Sequence, residues 1–148
     1  MTVDSKYGIM GLAITNYISP VKGNTMYRIE FYEDRRGKSE LWDFMEQLRL
    51  QSANNKTARI EFNQISLYIN LLSQHGTRLS QNITKEGPTW ELRPDNNRVF
   101  FYFSLEGSTF VLLHHFRKRT QKTPRWEIER AMAERSDYLK RTKGAVQK

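Results

Sequence analysis

Three histidines, no cysteine and a late burst of cations set the range of chemistry open to this sequence. The reactive and charged side chains crowd into Trp90–Pro124, WELRPDNNRVFFYFSLEGSTFVLLHHFRKRTQKTP. There Glu91, Arg93, Arg98, Tyr102, His114 and His115 interrupt apolar runs, and Arg117, Lys118, Arg119 and Lys122 follow. Without cysteine there is no thiol nucleophile and no thiolate zinc site. No glycine-rich phosphate loop, GxSxG elbow or HExxH motif occurs. His114 and His115 are adjacent, so on a regular strand they point to opposite faces and cannot chelate one metal from the same side. What remains is a basic, aromatic-bearing strand edge with His, Arg, Lys and Tyr, an inventory suited to metal-independent cleavage of RNA. In that reaction the 2′-hydroxyl attacks the adjacent phosphorus and the leaving 5′-oxygen takes a proton. Cations hold the phosphate and stabilise its added negative charge, while His or a perturbed Lys moves protons near neutral pH. Tyr102 offers a ring to stack on a base or a hydroxyl for a phosphate. The same inventory would equally serve a surface that binds RNA without cutting it.

These residues need a sheet to hold them. Trp90–Arg93, Arg98–Leu105 and Thr109–Phe116 are short runs of β-formers, closed by Pro94-Asp95-Asn96-Asn97 and Glu106-Gly107-Ser108. That pattern predicts an antiparallel three-stranded meander. Strict alternation puts Arg98, Phe100 and Tyr102 on one face and Val99, Phe101 and Phe103 on the other. In the third strand it groups Phe110, Leu112, His114 and Phe116 against Val111, Leu113, His115 and Arg117. Both faces carry apolar groups, so the sheet is expected to be covered on both sides. The polar exceptions fall near the strand ends, where a groove would open.

Upstream, Tyr27–Tyr32 alternates as a half-buried strand, and the folded domain is expected to start at Met26. Residues 1–25 read as an N-terminal extension, either an upstream continuation of the reading frame or a mobile arm, with a short element over Ile9–Ile18 as the competing reading. Ser39 is a natural cap for a helix whose Leu41, Phe44, Met45 and Leu48 share one face. A second helix over Lys56–His75 lines up Ala58, Phe62, Ile65, Ile69 and Leu72, with Gly76 at its C-terminal cap. Thr123-Pro124 opens a last helix, expected to end near Tyr138.

The chain has 148 residues, a mass of 17.6 kDa, a net charge of +8 and a pI near 9.8. That length suits a single domain with a real core. From Phe110 to Lys148 the sequence holds 11 Lys and Arg against 4 Asp and Glu, a balance of +7, whereas the first 109 residues balance at +1. Such asymmetry points to a polyanionic partner, RNA or DNA ahead of anionic lipid. No apolar run reaches the roughly 18 residues of a membrane span, and the first residues show neither the charged region nor the apolar core of a signal peptide. A cytoplasmic protein without membrane association is the expectation.

Phe110–Pro124 also resembles the signature of the phage-derived, HigB-like branch of the RelE/ParE toxin superfamily. The matching residues are Leu113-His114-His115-Phe116, the cations Lys118-Arg119, and Thr120–Pro124 opening the last helix. Glu91-Leu92-Arg93, the strand Arg98–Tyr102 and Glu127–Ala131 resemble the family as well. The resemblance covers Met26 to about Tyr138. It implies an α+β, RelE-like fold of order β-α-α-β-β-β-α, its antiparallel sheet packed against a helical hairpin and a C-terminal helix. It also implies a type II toxin that cleaves mRNA in the ribosome without a cofactor. The implied partners are mRNA, the ribosome, a helix-turn-helix antitoxin and, through the antitoxin, operator DNA. Carried over residue by residue, Arg93 and Arg98 contact phosphate and stabilise its charge, His114 transfers protons, and Lys118 completes the catalytic set. Arg117, Arg119 and Lys122, with Tyr102, would bind RNA. Plainer readings stand beside these: Arg93 pairs with Glu91, Arg98 caps a turn beside Asp95, and His114 is a buried, hydrogen-bonded core residue. A ParE-like gyrase poison and a non-catalytic RNA-binding module are the alternative functions.

Overall fold

The computed structural model describes residues 27–82, 89–104, 108–120 and 122–146; the expectations for residues 1–25 and for a start at Met26 lie outside these. A five-stranded sheet forms the centre, built from β1 (Arg28–Phe31), β2 (Ser80–Asn82), β3 (Thr89–Leu92), β4 (Asn97–Ser104) and β5 (Thr109–Arg117). Its strand order is β1-β5-β4-β3-β2. The meander β3-β4-β5 is antiparallel as expected, but β1 runs parallel to β5, so the sheet is mixed rather than antiparallel throughout. The short β2, whose Ser-Gln-Asn sequence carries no apolar alternation, pairs antiparallel with β3.

Helices α1 (Glu40–Gln51) and α2 (Lys56–His75) form a hairpin on one face. Ser39 caps α1 by accepting from the Trp42 amide at 3.1 Å, and Asn55 caps α2 by accepting from the Ala58 amide at 3.0 Å. Leu41, Met45 and Leu48 with Ala58, Phe62, Ile65, Ile69 and Leu72 bury against Ile29, Phe31, Val99, Phe101, Phe110 and Leu112. Gly76 closes α2 at a φ of 75°, and a side chain there would meet the Tyr27 ring.

The last helix, α3 (Arg125–Val146), covers the opposite face over Phe100, Tyr102, Val111 and Leu113. It runs past the expected end near Tyr138. The Tyr138 hydroxyl donates to Glu30 on β1 at 3.1 Å, Arg141 pairs with Asp137 at 2.8 Å, and Arg141 also reaches the Glu33 carbonyl. Those ties anchor a turn that composition alone leaves frayed. Among the described residues no helix is long and apolar enough to cross a membrane.

One irregularity changes what the sheet presents. Phe100 pairs with His114 but Phe101 pairs with Leu112, so Leu113 is the extra residue of a β-bulge. Before the bulge Phe110 and Leu112 face the hairpin; beyond it His115 does, and His114 turns toward α3. The alternation expected for β5 therefore fails at Leu113. His114 does not share a face with Phe110 and Leu112.

Candidate functional site

Two buried carboxylate clusters and an exposed cationic rim occupy the end of the sheet beneath the start of α3. In the first cluster Glu91, on β3, is fully buried. Its Oε1 accepts from Arg93 Nε at 2.8 Å and lies 3.9 Å from Arg98 Nε, and its Oε2 accepts from the Thr123 hydroxyl at 2.6 Å. Thr123 thus spends its hydroxyl on Glu91, fastening the segment that leads into α3 to the sheet. Arg98 is nearly closed in and donates through Nη1 to the carbonyls of Asp95 at 2.7 Å and Asn97 at 2.8 Å. Burial pulls its pKa below the ordinary arginine value, with Glu91 opposing. Asp95 holds the turn at a φ of 55°. Both plainer contacts expected for Arg93 and Arg98 are therefore present. Only Arg93, whose side chain is 42% exposed, retains a face toward solvent.

The second cluster centres on His114, which is 1% exposed. Its Nε2 lies 2.8 Å from Glu127 Oε1 and its Nδ1 2.6 Å from Glu134 Oε1, both carboxylates coming from α3. Glu134 is also paired with Arg130 at 3.3 Å, and Arg130 in turn bonds Glu40 on α1. Phe100 meets the imidazole edge-on at 5.0 Å. With both ring nitrogens engaged and no open surface, His114 has no contact path to a phosphate. Its place is that of a clamp between sheet and helix, which corrects the expectation of a proton-transfer group at the groove.

Tyr102 needs the same correction. It is 3% exposed, packed under α3 against Tyr138, and burial pushes its phenol well above the usual range. It has no free ring to offer a base. Arg117 is exposed but turned to the hairpin side, paired with Glu61 at 2.9 Å and set over the Phe44 ring. Lys118, Arg119 and Lys122 are exposed, and among the described residues none of them has a carboxylate partner. The Lys118 amide donates to the Asn96 carbonyl at 2.7 Å, which ties this cationic segment to the β3–β4 turn. The structure thus gathers Arg93, Arg98, Lys118, Arg119 and Lys122 around one end of the sheet and separates them from Tyr102 and the enclosed His114. Among the described residues no three His, Asp or Glu side chains converge as a metal site.

Sequence reasoning gave neither His115 nor Trp126 a role of its own. His115 lies flat on Phe44, ring centroids 3.9 Å apart. Burial, then the charge on His114, pushes its pKa down to about 4. Its folded value lies below the unfolded value of about 6.5, so the folded state binds fewer protons between them. The stabilisation is complete above pH 6.5 and is lost as pH falls toward 4. In urea denaturation across that window, His115→Phe is expected to flatten the fall in stability by up to about 3 kcal/mol. An unchanged pH profile would refute the assignment. Trp126, in the first turn of α3, is 62% exposed. The signal for it was available, since on a helix of 3.6 residues per turn position 126 lies opposite Ile128 and Ala131, which pack against the sheet.

This is a small mixed sheet with helices on both faces and a basic, carboxylate-braced end. The family described as Phage derived protein Gp49-like (DUF891) matches residues 59–136, over half of the sequence, and the chain belongs to that family. Membership bears out the resemblance to a phage-derived branch read from Phe110–Pro124. Among solved structures, the chain is similar to the toxin–antitoxin complex RelBE2 from Mycobacterium tuberculosis. That match has 18% identity and a TM-score of 0.41, and it covers 65% of this chain and 95% of that one. No curated protein matches the sequence significantly.

Proposed function

We propose that this chain is the toxin of a type II toxin–antitoxin pair and arrests translation by cutting mRNA in the ribosome without a metal. The observation that carries the reading is the exposed cations Lys118, Arg119 and Lys122, without carboxylate partners among the described residues, on a segment fastened to the β3–β4 turn and to Glu91. Cations held in place beside a phosphate stabilise the extra charge of the transition state without reorganising at the moment of reaction. Arg93, oriented by Glu91, takes the phosphate contact, and Lys118 stands nearest the turn that Arg98 braces. Arg119 and Lys122 hold the RNA backbone. Arg98 and His114 act behind this surface as positioning residues. A helix-turn-helix antitoxin is the partner that neutralises it.

Induced in bacteria, the chain is expected to stop amino-acid incorporation before it affects DNA synthesis, and co-expressed antitoxin is expected to relieve the arrest. A Lys118→Ala, Arg119→Ala, Lys122→Ala triple variant should fold normally and lose the arrest. Its binding to single-stranded RNA should weaken, with the logarithmic salt dependence reduced by about 2. Arrest with a DNA-damage response and continued translation would instead indicate gyrase as the target.

A further inference from the structure

An open cleft of about 610 Å³ lies between the end of β5 and the first turn of α3, with Phe116, Arg117, Arg119, Thr120, Pro124 and Trp126 in its wall. Resting on the RNA-directed reading above, we propose that this cleft is a nucleotide-stacking site: Trp126 carries an unpaired base of single-stranded RNA, and Arg119 holds its phosphate.

Among the described residues Trp126 belongs to neither core cluster. It is 62% exposed on the side of α3 away from the core stripe, whereas Trp42 and Trp90 are partly buried against the hairpin core. A large exposed indole stabilises little by itself, but it offers the ring face on which any base stacks. The segment that leads from β5 into α3 carries one sign of charge. Between Arg117 and Arg125 the sequence has Arg117, Lys118, Arg119, Lys122 and Arg125 and no acid. Arg117 is occupied by Glu61 and Arg125 by Glu129, which leaves Arg119 as the cation in the wall without a carboxylate partner among the described residues. Glu127, which also borders the cleft, turns its carboxylate inward to His114 at 2.8 Å, so it does not oppose an anion there. The volume lies within the range of ligand clefts, about 300–1,000 Å³. A partner helix would seat in a groove lined by apolar side chains. This wall instead alternates arginine and threonine with aromatic and proline surfaces, as an aromatic platform beside a phosphate contact requires.

The test is fluorescence anisotropy at low salt with a labelled, uncleavable 2′-O-methyl RNA of about eight nucleotides, a length within the usual site size. It compares the full chain with Trp126→Ala and Trp126→Phe. Trp126→Ala should weaken binding roughly 5- to 150-fold, the usual effect of removing one stacked base. Its salt dependence should stay that of the wild type, because no ionic contact is lost. Trp126→Phe should recover most of the affinity. Equal affinity of wild type and Trp126→Ala would overturn the stacking site while leaving the RNA-directed reading intact. Failure of the wild type to bind would overturn both.

Discussion

Replacing His114 with alanine is expected to destabilise the fold by about 3–5 kcal/mol, the cost of removing one partner from a buried ionic cluster. The imidazole sits between Glu127 and Glu134, 2.8 and 2.6 Å from its two nitrogens, and is 1% exposed. Two carboxylate oxygens facing the two ring nitrogens are satisfied only if a proton lies in each contact. Without the ring, Glu127 and Glu134 face a cavity and each other, and α3 loses its central tie to β5. For a domain of this size the drop corresponds to roughly 10–15 °C in Tm. Adding Glu127→Gln and Glu134→Gln to His114→Ala should recover part of the loss, since the uncompensated charge is then gone. A loss below about 1 kcal/mol, or no recovery, would show that the clamp is not what holds α3.

Glu91→Ala is the second large effect, about 3 kcal/mol. Arg98 is 8% exposed and depends on Glu91 as its nearest anion; the carbonyls of Asp95 and Asn97 take only one of its nitrogens. The same substitution frees Arg93 and the Thr123 hydroxyl, so the segment carrying Lys118, Arg119 and Lys122 loses its attachment to β3. Stability by urea titration and RNA affinity should therefore fall together. Glu91→Gln can still accept from Thr123 but cannot balance the guanidinium, so it should keep the segment in place better than it keeps the stability. Equal losses of both in the two variants would contradict that division.

Much of the fold was legible because its elements follow simple periods. The stripes of α1 and α2 and the two faces of β4 could be read from spacing, and the cap Ser39 from its residue type. What was not legible lay where a period breaks. The bulge at Leu113 shifts every later side chain of β5 to the other face, and no residue in Leu113-His114-His115 announces it. The plainer reading of His114 as a buried residue was correct, but it was tied to the wrong neighbours. Tyr102 alternates correctly with Phe100, yet its burial depends on α3, which reaches it from far along the chain. The burial of Glu127 and Glu134 had no local signal, because their common partner is a histidine on another element. The polar strand β2 gave no alternation to find. The positively charged end was evident from composition; which of its cations have carboxylate partners required the positions of Glu61, Glu91 and Glu129.

We propose that Lys118, Arg119 and Lys122, between β5 and α3, serve the cutting of translated RNA. Mapping transcript 5′ ends after induction, in the wild type beside the Lys118→Ala, Arg119→Ala, Lys122→Ala variant, tests it most directly. New ends inside translated frames that disappear in the variant are the predicted result. Growth arrest with intact transcripts, or cuts that persist in a folded triple variant, would contradict it.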